Sequence, residues 1–144
     1  MDKYVILFIK TSLLSLLLGS LLGIDMAAVP YHALYFVNAH THLNLLGFMA
    51  MMIYGVGYHV LPRFSGMLIH SRTLMRVHYY LGTVTLALMA VFWIALEMTP
   101  YAGVMRAGLV LSGIGHLISI AFFVYNMFRS IKPVSFPPAG MQDR

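Results

Sequence analysis

The second long apolar run of this chain carries imidazoles where a bilayer demands hydrocarbon. Residues 38–63 read NAHTHLNLLGFMAMMIYGVGYHVLPR and include His40, His42 and His59. A run of this length crosses a membrane. Histidine facing lipid is costly, and ionisable groups in such spans point into a bundle, paired or bound to something. His78 and His116 fall inside later apolar stretches. Imidazole is the commonest protein ligand for transition metals and a standard ligand of haem iron. The pattern predicts a membrane protein built around a metal centre.

The rest of the chain supports a bilayer as its solvent. Of 144 residues, 60% are hydrophobic and 9% charged, and mean hydropathy is +0.84. That leaves too little polar surface to cover a water-facing globule. Four spans are predicted, at about residues 4–24, 31–61, 74–96 and 104–128, each with room for the roughly 20 residues a membrane helix needs. Turn and breaker residues separate them: Asp25, Pro30, Pro62, Ser65, Gly66, Pro100 and Gly103. The expected fold is all-α, a polytopic membrane four-helix bundle over residues 1–132. A Pro-rich polar tail, 133–144, is expected to be a disordered cytoplasmic end. The first span follows Lys3 like a signal peptide. Lys10 interrupts it and its end is a weak cleavage site, so a retained helix is expected.

Charge sets the orientation. Lys3 precedes span one, Arg63, Arg72 and Arg76 lie between spans two and three, and Arg129, Lys132 and Arg144 follow span four. Asp25 and Glu97 mark the other two connections. The positive-inside rule then gives an N-in/C-in arrangement, in a bacterial cytoplasmic (inner) membrane. A basic inner rim accounts for the net charge of +5, and no nucleic-acid partner is expected. The chain has no cysteine. Disulfides, iron–sulfur clusters, thiolate-ligated haem and covalently attached haem are therefore excluded. No Gly-rich phosphate loop, catalytic triad or internal repeat is present.

Depth along the spans pairs the histidines. At 1.5 Å per residue, His40 and His42 lie about 14 and 17 Å below Tyr31, and His116 about 18 Å below Val104. Histidines at matched depth on two facing helices can hold one haem. Counted from the inner ends the depths disagree, unless span two tilts or projects. His59 and His78 form a second candidate pair near the inner loop, for a second centre or as interface histidines bonded to backbone or water. At 100° per residue His40 and His42 point to nearly opposite faces, so one iron cannot take both. The first shares its side with Asn44, Gly47, Tyr54, Gly55 and Tyr58, the second with Leu46, Met49, Ile53 and Gly57. His116 sits in a seam of small residues, Gly108, Ser112, Gly115 and Ser119, which is also how membrane helices pack. The stripe His78, Gly82, Thr85 and Met89 is explained by packing, as is the methionine group at 49, 51 and 52.

The stretch His40 to Arg63 resembles the second transmembrane helix of catalytic subunits in the haem–copper oxidase superfamily, with nitric oxide reductases and cbb3-type oxidases as the nearest relatives. It also resembles small four-helix oxidase-subunit-like proteins in which His-x-His-Leu-Asn-Leu-Leu-Gly recurs. In the superfamily this helix opens on a His-Thr step, and its histidine ligates a low-spin haem b. The resemblance covers about a fifth of the chain and implies that role for His40 or His42. The superfamily's adjacent His pair and its late His-x-His are missing here, so the oxygen- or NO-reducing binuclear centre is not expected.

These readings converge on a membrane b-type cytochrome. One haem b is expected between His116 and His42, with His40 as the alternative to His42, and a second haem at His59 and His78 as a variant. Electron transfer or binding of NO or O2 would follow, with a respiratory electron donor or an oxidase or reductase as partner and a homodimer as the assembly. No complete catalytic centre is seen. The competing reading is a copper-binding or oxidase-assembly membrane protein without haem, in which His40, His42 and methionines would serve copper.

Overall fold

The structure, a computed structural model, describes residues 1–131; the expected tail, 133–144, lies outside the described residues. All regular structure in the described residues is helical. Four helices are long and apolar enough to cross a membrane: α1 (Lys3–Ala28), α2 (Pro30–Phe64), α3 (Arg72–Met98) and α4 (Ala102–Ser130). Each runs a few residues beyond its apolar stretch, because the ends are built by capping chemistry. Asp2 Oδ1 accepts the Tyr4 N–H at 2.9 Å to open α1, and Ser71 Oγ accepts the Leu74 N–H at 3.2 Å to open α3. Pro30 starts α2 as a 3₁₀ turn, where its missing N–H costs nothing. Gly66, at φ 62°, turns the chain between α2 and α3.

Helix α2 changes character along its length. Residues Ala33–His42 are α-helical, Leu43–Ala50 form a π-helix, and Met51–Phe64 are α-helical again. Eight π residues in a row are unusual, since such geometry mostly occurs as a single turn and often at functional sites. Gly47 lies in this segment. A Cβ there would stand 2.6 Å from Ser15 Cβ, so α1 and α2 approach too closely for any side chain.

The two ends of the bundle pack differently. The α3–α4 pair runs antiparallel at close range over its whole length, Gly108 lying under the Phe92 ring and Gly115 under Thr85. The outer half of α2 packs on α1 and α3 and leaves α4. Its inner half meets α4, where Tyr54 and Tyr58 contact the Phe123 ring at 4.7 and 5.1 Å between centroids. Phe8, Met51, Met75 and Met127 complete a dry core on that side. A polar clamp closes the inner end. Asn126 donates to the Ser71 carbonyl at 2.8 Å and accepts the Ser71 N–H at 3.0 Å, while Ser130 Oγ accepts the His70 N–H at 2.8 Å. Outward-facing leucines such as Leu14, Leu17, Leu111 and Leu117 are more than half exposed, which is the surface lipid requires.

Candidate functional site

His116 is 3% exposed on α4. Its Nδ1 lies 3.1 Å from Thr85 Oγ1 on α3. The Thr85 hydroxyl proton is already given to the Leu81 carbonyl at 2.7 Å, so Thr85 accepts and His116 Nδ1–H donates. A neutral imidazole protonated at Nδ1 carries its lone pair on Nε2. That Nε2 is buried and has no hydrogen-bond partner. A buried acceptor left unmet costs about 1–3 kcal/mol. Fixing a ring through Nδ1 and freeing Nε2 is how metal-bound histidines are oriented.

His42 shows the same preparation on α2. Its Nδ1–H donates to the Asn38 carbonyl one turn back, at 2.8 Å, and its ring stands 5.9 Å from that of Trp93 on α3. His40 turns to α1 instead and donates through Nδ1 to the Gly19 carbonyl at 2.8 Å. The two histidines thus serve different helices. His42 is half-buried, flanked by α3, on the side where α2 and α4 do not pack together.

The depth count from the span ends does not describe the structure. His42 sits at Trp93 and His116 at Thr85, positions about two turns apart on α3, so His42 lies nearer the outer end. The outer ends of the helices are no common reference level, because α2 has 35 residues and α4 has 29. The π segment also shifts every face below His42 away from the 100° wheel.

His78 is fully buried and boxed by aromatic rings, with Tyr54 at 4.6 Å and Phe8 at 4.9 Å. Its Nδ1 shares a hydrogen bond with Tyr58 Oη at 3.1 Å, and its Nε2 is unpartnered. His59 is not brought to it. The His59 ring lies against Arg63, whose Nη1 donates to the His59 carbonyl at 2.8 Å, and it lines a cavity at the inner end. His59 follows Tyr58 directly, so the two side chains diverge by about 100°.

Of the groups that hold the imidazoles, the sequence placed Thr85 and Tyr58 only on helix stripes and did not point to Asn38 at all. Thr85 is seven positions after His78, on one face of α3, which placed it on the right stripe. Nothing in the sequence said which helix that stripe would meet. Among the described residues no three of His, Cys, Asp or Glu come together around one point.

No family model matches this chain, and no solved structure matches it. Over 79 residues it is 34% identical to cytochrome c oxidase subunit 1 of Synechocystis sp.. The match covers 52% of this chain and 14% of that protein's length. The likeness is therefore partial, to one section of a much longer membrane subunit.

Proposed function

We propose that the chain is a b-type haem protein of a respiratory membrane, in which His116 would hold the haem iron and His42, nearer the outer end, would serve as second ligand once α2 moves towards α4. The observation that carries this reading is the His116 Nε2 lone pair, buried without a partner and fixed in place by Thr85. A haem supplies four of the iron's ligands itself and asks the protein for one or two imidazoles. Two prepared but separate histidines suit that demand. A copper site built from protein alone needs more ligands around one point, and among the described residues no three of His, Cys, Asp or Glu gather to supply them. The partial likeness to an oxidase subunit supports a respiratory setting, with a bacterial cytoplasmic membrane as the location.

Haem b, when bound, supplies one-electron exchange at iron. This chain's residues do the rest. Thr85 and the Asn38 carbonyl hold the two imidazoles in the tautomer that leaves Nε2 free to ligate. Phe92 and Trp93 on α3 line the side of α2 and α4 with aromatic surface and exclude water. An apolar surround of this kind tunes a redox potential. The outer half of α2 packs on α1 and α3 and not on α4, and on this reading the haem would enter on that side.

The test is optical. The full chain is purified in mild detergent after expression with haem supplied, and its oxidised and dithionite-reduced spectra are recorded with a pyridine haemochrome count. Sharp reduced α and β bands of a b-type cytochrome are expected. A colourless protein would overturn the reading and send the sample to metal analysis.

A further inference from the structure

The inner end of the bundle holds a cavity of about 460 Å³, distant from the proposed haem ligands. That is within the range of small-molecule sites, about 300–1,000 Å³. It forms where the start of α1, the end of α2 and the loop into α3 converge. Its floor belongs to the core, with Val5, Tyr58 and Met75 each under 5% exposed. Its rim is cationic: Arg63 and Arg72, with the His59 ring beside them.

The rim charges are under-used. Arg72 is 81% exposed, and its Nε stands 3.7 Å from Asp2 Oδ2, a surface pair of little energetic worth. The other oxygen of Asp2 is occupied in capping α1. Arg63 bonds only within its own helix turn. The rim thus holds two guanidiniums and one carboxylate, which contacts Arg72 alone, and the planar donors of each guanidinium suit a phosphate. Beside them Leu68 of the loop, 88% exposed, lines the cavity, and Phe64, which ends α2, is 77% exposed. Large exposed apolar side chains beside a basic helix end suit the boundary where headgroups meet acyl chains.

We propose that this cavity binds the phosphodiester headgroup of an anionic phospholipid, with Arg63 and Arg72 on the phosphate and Leu68 and Phe64 against the acyl chains. Volume, charge and apolar margin all fit one amphiphile. Basic pockets between helices at the positively charged membrane face are a known physical setting for such headgroups. The assignment is independent of haem, since none of these residues touches His42 or His116.

Native mass spectrometry of the full chain, delipidated in detergent, tests it. The probes are phosphatidylglycerol, phosphatidylcholine and inorganic phosphate. One phosphatidylglycerol should be retained in preference to phosphatidylcholine, and millimolar inorganic phosphate should not displace it. R63Q/R72Q should weaken retention about tenfold, R72Q alone by less, and L68S should weaken both lipids. Arg72 is exposed, so R72Q keeps the test valid if the double variant misfolds. R129Q removes a charge outside the cavity and should change nothing. Equal retention of the two lipids, or retention unchanged in the arginine variants, would overturn the proposal. Displacement by inorganic phosphate would make the cavity a phosphate site and also overturn it.

Discussion

The two buried histidines of this bundle occupy opposite environments. His78, in the inner half, is surrounded by Phe8, Tyr54, Tyr58 and Phe123, and α2 is pressed against α4 there. His116, nearer the middle of α4, is held by one hydroxyl from α3 in a seam of glycine and serine, below the part of α2 that has left α4. Both carry an unpartnered Nε2. The inner imidazole is walled in by aromatic rings, whereas the outer one lies in a seam of small residues between α3 and α4. Burial alone does not mark a ligand. What distinguishes His116 is a tautomer fixed by Thr85, whose own proton is already given to the Leu81 carbonyl.

This contrast can be broken by substitution, beginning with the largest effect. His116→Ala is expected to abolish haem retention while helical content, read by circular dichroism, stays near the parent value. Phe8→Ala in the inner core removes a ring that is 0% exposed, and such a truncation costs about 3–5 kcal/mol. Its signature is a lowered melting midpoint in detergent. If the haem spectrum instead changed while stability did not, the division between halves would fail. Asn126→Ala cuts two of the three bonds of the inner clamp and leaves Ser71 groups unmet, for about 1–3 kcal/mol, again with an unchanged spectrum. His42→Ala is expected to keep part of the haem, with altered band positions and new binding of CO to the reduced form. Smallest of all, His59→Gln should leave spectrum and haem count untouched, since His59 faces the inner cavity.

Much of the fold was legible because hydropathy over 20-residue windows reports lipid exposure directly. Four helices form where four apolar spans were expected, and the breakers Pro30, Gly66 and Pro100 fall at their connections. Asp25, Pro62 and Gly103 instead lie inside the last or first turns of helices that run on past the apolar stretch. The separation of His40 from His42 was also legible, because two residues of ordinary helix turn a side chain to the far face, and the structure sends one to Gly19 and the other towards Trp93. The relative heights of His42 and His116 were not. Depth counted from span ends assumes level ends and a uniform rise, and α2 violates the first by its length. The π segment was invisible for a similar reason. Leu43–Ala50 reads as any apolar helix, and the close packing of Gly47 on Ser15 within it depends on a neighbour the sequence does not name. Thr85 as the holder of His116 was hidden because its role depends on which helices become neighbours.

The ligand role of His116 is most directly tested by chemical rescue. His116→Gly is purified in detergent, supplied with haem, and titrated with free imidazole while the reduced α band is followed. The account predicts a colourless or weakly coloured variant whose b-type spectrum returns with added imidazole, because the gap left by the side chain admits the ligand itself. A variant that keeps the parent spectrum without imidazole would contradict it, as would one that imidazole cannot restore while its helical content is intact.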